Sequence, residues 1–326
     1  MTDKNSTNHQ NKRARAYAYS GVVNIDKEAG YTSHDVVAVV RRTLGGVKAG
    51  HTGTLDPMAE GVLPVCLGYG TKLSDYIAGA EKEYRAVLRL GLSTDTQDIT
   101  GAILSERPLY SSRDEILAAI LSFQGDYAQT PPMYSAIKQG GKKLYELARA
   151  GVAVERKPRL VHIYEIHNIR FLSDNRVEMD VRCGKGTYIR SLCHDIGEML
   201  GCGGCMEALR RLRTGVFDFS TAIRLAELTK CAAAGTLAEV IRPLDACLPW
   251  PKAIVSPQWS RALANGGPIP REGASLTGAI TAGEPFFAYN AQGSLAGVYT
   301  LAEKDRQAFI KPITMLMETG ANEANT

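Results

Sequence analysis

The sequence predicts an α+β fold, with a mixed, mostly antiparallel central sheet flanked by helices and a small β-rich C-terminal module. Three observations carry this. Strand-like and helix-like apolar patterns are interspersed without a regular βαβ period, which argues against a doubly wound sheet. Val177, Met179, Val181 and Cys183 alternate with polar residues, as a strand buried on one face does. Past Leu248, Pro249 and Pro251 mark a boundary, after which short apolar runs are separated by Gly and Pro. The chain has 326 residues, 44% hydrophobic and 22% charged, enough for a buried core and unlike a disordered or fibrous chain.

In chain order, residues 1–20 lack apolar periodicity and are expected to form a flexible basic arm. Gly21 to Asp26 reads as a first strand. Ser33 is expected to cap a helix with the apolar stripe Val36, Val37, Val40 and Leu44, ended by Gly45 and Gly46. Gly50 to Gly70 reads as a Gly- and Pro-punctuated loop leading into a buried strand, Val62 to Leu67. Thr71 to Ala80 can form a short helix, Tyr84 to Leu92 a strand, and Ser112 opens a helix through Phe123. Leu144 to Ala150 is another short helix, Leu160 to Phe171 a strand, and Thr187 to Leu200 a helix ended by Gly201. Later apolar runs are Leu276 to Ile280, Pro285 to Tyr289 and Leu295 to Leu301. The implied division is a main domain over 21–250, a β-rich module over 251–318 and a disordered tail over 319–326.

The formal net charge is only +4. Between Lys138 and Arg159, however, seven basic residues stand against Glu146 and Glu155, so this stretch carries +5 and the remainder sums to −1. Smaller clusters are Arg210, Arg211 and Arg213, and Lys12, Arg13 and Arg15. Such concentration on a near-neutral body has the form of a phosphate-backbone footprint, although a solvated helix face gives the same pattern. No apolar stretch approaches the roughly 20 residues of a membrane span. The polar, basic start lacks an apolar h-region, so a cytoplasmic protein with its seven cysteines reduced is expected. Cys202-Gly203-Gly204-Cys205, with Cys183 and Cys193 upstream, is too irregularly spaced for a zinc site. It reads as small residues packed around a helix end, and no metal is expected.

The stretch Gly50-His51-Thr52-Gly53-Thr54-Leu55-Asp56-Pro57-Met58-Ala59-Glu60-Gly61 is the most informative. Gly53 and Gly61 permit unusual backbone angles, and Pro57 restrains Asp56 to an extended conformation. A carboxylate held on a rigid loop beside an apolar strand can act as nucleophile or base, given a cation to keep it ionised. Asp-Pro in a loop is also an ordinary turn signal. There is no GxxxxGK[ST] phosphate loop and no GxGxxG fingerprint, so no nucleotide cofactor is expected.

Gly50 to Leu67 closely resembles the catalytic-aspartate motif of the TruB-type tRNA pseudouridine synthases. Further segments match in order: Asn24-Ile25-Asp26-Lys27, Tyr84-Arg85, Gly91 to Gly101, Pro132 to Lys138, Lys185-Gly186-Thr187-Tyr188-Ile189-Arg190 and Leu209-Arg210-Arg211. The resemblance implies the pseudouridine synthase fold, with 21–250 as catalytic domain, an RNA-clasping insertion at about 130–160 and an RNA-binding-like module over 251–318. It implies that uridine-55 in the T-loop of tRNA is isomerised, by breaking the N1–C1′ bond and forming a C5–C1′ bond. By position, Asp56 matches the essential aspartate, either attacking C1′ or removing the C2′ proton. Arg190 matches its pairing arginine, Tyr84 the tyrosine stacking on the uracil, and Lys27 a lysine of the site wall. His51 matches the residue inserted where the flipped base left; Tyr188 and Leu209 line the uracil pocket, and Asp98 contacts the flipped nucleotide. Phosphate contacts are expected from Lys138, Lys142, Lys143 and Arg149. The implied partner is the T-arm stem-loop, met by a monomer without membrane, guide RNA or cofactor. The alternative is a tRNA-binding or remodelling module without catalysis.

Overall fold

The structure, a computed structural model, describes residues 18–317 except 136, 151 and 153. The basic arm and the C-terminal tail expected from the sequence therefore lie outside the described residues, apart from the last three positions of the arm.

The main sheet grows around two strands that are buried on both faces. β1 (Gly21–Lys27) is buried along its whole length and β3 (Glu60–Leu67) everywhere except its first residue. They pair antiparallel from Gly21 opposite Leu67 to Lys27 opposite Gly61. One face, with Val23, Ile25, Leu63 and Val65, packs under the helices. The other, with Val22, Val62 and Cys66, packs against a second sheet. Burial on both faces explains why this segment reads as a continuous apolar run.

Outward from β3, the order is β12 (Gly204–Thr214), β4 (Lys82–Leu90), β11 (Arg176–Cys183), β10 (Arg159–Ser173) and β7 (Gly125–Gln129); β14 (Ile241–Arg242) closes the other edge beside β1. Along this path every pairing is antiparallel except β3 with β12, which meet in parallel at only two positions, Glu60 with Arg210 and Gly61 with Arg211. β2 (Ala49–His51) pairs with β3 from the side. β4 alternates buried and half-buried residues, and Val177, Met179, Val181 and Cys183 of β11 are all fully buried, as their period of two predicts.

Helices α1 (Ser33–Thr43), α3 (Arg113–Leu121), α5 (Ile189–Met199) and α6 (Leu225–Ala234) send Val36, Val40, Ile116, Ile120, Leu192, Ile196 and Leu228 into one core, while α2 (Ser74–Gly79) follows a 3-10 turn over Gly68–Leu73. The cap of α1 is Thr32 rather than Ser33: Thr32 and Asp35 form a reciprocal capping box. Ser33 is thereby left to reach another loop. Ser112 caps α3 as expected, through Glu115. The sequence predicts one strand over Tyr84–Leu92, but the chain breaks at Gly91 (φ +86°), and Leu92–Thr94 form β5 of a separate hairpin with β6 (Ile103–Glu106).

The insertion forms a two-stranded hairpin, β8 (Lys138–Gln139) with β9 (Lys142–Lys143), and a short helix, α4 (Leu144–Arg149). Beyond Pro251 a six-stranded sheet runs β16-β20-β19-β18-β15-β17 in space, built from Lys252–Val255, Ile269–Pro270, Ala274–Thr277, Pro285–Tyr289, Leu295–Lys304 and Gln307–Met315 in chain order. Phe287, Tyr289, Val298 and Leu316 of this part share one apolar cluster with Val22, Val62, Cys66, Leu73, Ile77 and Phe217.

Candidate active site

The loop between β2 and β3 is fixed from several sides. Thr52 donates its backbone N–H to the Pro64 carbonyl at 3.1 Å. The Leu55 N–H donates to the buried Ser33 hydroxyl at 2.9 Å, the use to which Ser33 is put in place of capping. Ala59 N–H closes a turn onto the Asp56 carbonyl at 3.0 Å, and Gly30 N–H reaches Pro57 O at 2.9 Å. Lys27, fully buried at the end of β1, donates to the carbonyls of Glu28, Tyr31 and Pro57 at 3.1, 2.7 and 3.2 Å. Burial lowers its pKa, opposed by Glu60 and Asp56. All of these hold the backbone on either side of Asp56.

Arg190, in the first turn of α5 and 6% exposed, meets the Asp56 carboxylate with Nε at 3.0 Å from Oδ2 and Nη2 at 3.4 Å from Oδ1. The same guanidinium donates to Tyr134 O at 2.8 Å and Thr96 O at 3.1 Å, and lies 3.5 Å from Asp98 Oδ2. Asp56 keeps a 33% exposed side chain, so one partner is anchored and the other is open to a ligand. Burial pushes the Asp56 carboxyl above its ordinary pKa; Arg190 pulls it down, Asp98 adds to the rise and Lys27 opposes it.

Asp98 is 5% exposed, and its Oδ1 accepts from the Thr96 hydroxyl, the Thr100 N–H and the Thr100 hydroxyl. Asp98, expected to contact the flipped nucleotide, turns its Oδ2 toward Arg190 in the protein itself. Asp98 orients Arg190 from within a loop whose Gln97 and Ile99 bond to Met206 of β12. The helix start is held as firmly. Gln129, 1% exposed, accepts from the Tyr188 N–H at 2.7 Å and donates to the Tyr188 carbonyl at 2.9 Å. Gln129 does not stand out in the sequence, since a lone amide carries no spacing signal, and Ser33 reads there only as a helix cap.

Tyr84 and Leu209 lie on neighbouring strands, β4 and β12, with Tyr84 8% exposed and its pKa raised by burial. Tyr188 is half-buried at the start of α5. His51 ends β2 with its ring edge-on to His34 at 5.2 Å between centroids. Burial, then His34 and Arg211, lower its pKa, which favours the neutral ring. The arginine cluster at 210–213 is not a free phosphate footprint. Arg210 pairs with Glu60 and lies over Phe219; Arg213 pairs with Glu81 and Glu83; Arg211 is buried. The side chains of Lys138, Lys142, Lys143 and Arg149 lie outside the described residues. Cys202 and Cys205 are buried where α5 meets β12, and a Cβ on Gly197 would stand 2.1 Å from Gly204 N, so small residues do pack around that helix end.

Residues 41–189 match the model of the TruB family pseudouridylate synthase (N terminal domain), and 190–249 that of the tRNA pseudouridylate synthase B C-terminal domain. A tRNA pseudouridine synthase B of Alkaliphilus oremlandii is 52% identical over 251 residues, 77% of this chain and 83% of the relative. The chain belongs to the TruB family of pseudouridylate synthases. It is accordingly a pseudouridine synthase, an isomerase. A TruB-family relative from Yersinia pestis (strain Pestoides F), also named tRNA pseudouridine synthase B, is 38% identical over 306 residues, 91% of this chain and 93% of its own. Among solved structures, the archaeal box H/ACA sRNP Nop10–Cbf5 complex matches with TM-score 0.70 and 26% identity, over 92% of this chain and 87% of that one. A second, an H/ACA RNP bound to a substrate RNA containing 2'-deoxyuridine, matches with TM-score 0.70 and 25% identity, over 95% and 88%.

Proposed function

We propose that this TruB-family enzyme isomerises uridine-55 in the T-loop of tRNA to pseudouridine, with Asp56 as the reacting carboxylate. The observation that carries the reading is the Asp56–Arg190 pair, a half-open carboxylate held by a buried guanidinium on a loop fixed from both sides. The uridine is everted from its loop and its uracil is received between Tyr84, Tyr188 and Leu209, with His51 filling the place it left. A stacking ring suits a base that must turn, because it grips the face without fixing the in-plane orientation. Asp56 acts on the sugar, by attack at C1′ or by removal of the C2′ proton. The N1–C1′ bond breaks, the uracil rotates, C5 bonds to C1′, and the C5 proton leaves as N1 becomes N–H. Bonds broken and formed balance without a redox partner.

In this reading the 130–160 insertion supplies phosphate contacts through Lys138, Lys142, Lys143 and Arg149, and 251–318 acts as an RNA-binding appendage. The enzyme works as a cytoplasmic monomer without cofactor or guide RNA. The test is release of tritium from a T-arm stem-loop labelled at uridine C5, with carbodiimide mapping of the product. Wild type is expected to react on the naked stem-loop at position 55 alone, and Asp56→Asn to bind it without product. Dependence on an added guide RNA would replace the stand-alone reading, and absence of product from wild type would leave a binding or remodelling module.

A further inference from the structure

Arg211 is the largest fully buried side chain of the described residues, and its place in the sheet is unusual for a cation. It lies on β12 between the strand that ends the Asp56 loop and the strand that carries Tyr84, in register with Gly61 on one side and Tyr84 on the other. Its Nη2 donates to the Gly53 carbonyl at 3.1 Å and its Nε to the Val62 carbonyl at 2.6 Å. Those two carbonyls are the entry and the exit of the segment that carries Asp56. Gly53 has no side chain where Nη1 lies, 3.5 Å from the position a Cβ would take. The Tyr84 hydroxyl is a further hydrogen-bond partner of the guanidinium, from the strand in register with Arg211. The ladder between β12 and β4 slips its register between Arg211 and Arg213, and such an irregularity re-aims a side chain.

No carboxylate of the described residues lies within ion-pairing distance of Arg211, so carbonyl oxygens compensate its charge. A buried cation is a costly way to fill a core position, and an apolar residue of similar volume would do so better. What only a guanidinium offers is a planar fork of donors that reaches two backbone strands at once.

We propose that Arg211 is a positioning residue that staples both ends of the Asp56 loop and sets that loop against the Tyr84 ring. The inference rests on Asp56 being the reacting carboxylate. Lysine keeps the charge but has a single donor atom where Arg211 uses two, Nε toward Val62 O and Nη2 toward Gly53 O, so it cannot reproduce that fork. Arg211→Lys and Asp56→Asn are assayed side by side for kcat, KM and stem-loop affinity, with hydrogen exchange followed across the chain. In Arg211→Lys, kcat is expected to fall on the order of 100-fold, as displacement of a reacting group by about an ångström does, with KM and affinity unchanged. Amides of the 53–62 segment should exchange faster while those of β1 and β4 do not change. Wild-type turnover in Arg211→Lys overturns the proposal, as does exchange that rises evenly over the whole chain. In the wild-type protein itself, where no variant must fold, the Leu55 and Ala59 amides are expected to be protected. Free exchange at both overturns the staple as well. An active Asp56→Asn refutes the functional reading and the staple with it, whereas inactive Asp56→Asn beside fully active Arg211→Lys refutes the staple alone.

Discussion

Opposing influences act on Asp56, and their signs lead to a measurable pH dependence. Burial and the Asp98 charge raise its pKa, while Arg190 and Lys27 lower it, and the net direction is upward from 3.8. A carboxylate that must be ionised to react loses activity as pH falls through this raised value, so the acid limb of kcat/KM lies above that of an ordinary aspartate. Asp98→Asn removes the like charge and is expected to move that limb to lower pH; a limb that stays put would show that a different group sets it. At Tyr84 the ring and the hydroxyl separate cleanly. Tyr84→Ala is expected to cost about 1–3 kcal/mol of transition-state stabilisation by removing the stacking surface. Tyr84→Phe keeps the ring and should be mild, and a collapse in its kcat would assign a chemical role to the hydroxyl.

β12 is the element that organises the site, and it is the one the sequence concealed. It opens at Gly204, inside the Cys202–Cys205 run that reads as small residues packed around a helix end, and its cluster Arg210, Arg211 and Arg213 reads as a phosphate footprint or a solvated face. Local patterns cannot disclose that a strand is central, nor that an arginine is enclosed by the strands on either side of it. The Asp56 loop was legible because its glycines, its proline and its carboxylate follow one another within a few residues. The pairing with Arg190 was legible only through the family resemblance, since the two residues lie far apart in the chain. The tightest consequence of the meeting of β12 and β3 falls on Gly61. Its φ is +99°, and a Cβ there would stand 2.3 Å from the Arg211 carbonyl oxygen. Gly61→Ala combines backbone strain with a clash against main chain and is expected to destabilise by about 2–4 kcal/mol in denaturant unfolding. Gly45→Ala is a useful comparison, because its φ of +68° carries the strain with nothing within 4 Å of the added methyl.

The two sheets share one apolar cluster, so they are expected to unfold together. Phe287 is fully buried in it against residues of β1 and β3, and Phe287→Ala should cost about 3–5 kcal/mol within a single cooperative transition. Two separate transitions would show that the halves stand independently. RNA affinity belongs to this scale too: neutralising Lys142 and Lys143 is expected to weaken binding and to reduce the slope of log affinity against log salt by about one for each phosphate left without its lysine. An unchanged slope would remove the insertion from the interface. The Arg190 guanidinium has five N–H groups, and Asp56, Asp98, Tyr134 and Thr96 already surround it. A floor so thoroughly tied does not travel toward its target, so the reacting nucleotide must be brought out to it. A hairpin cross-linked shut would therefore dock on the surface and wait there, unconverted.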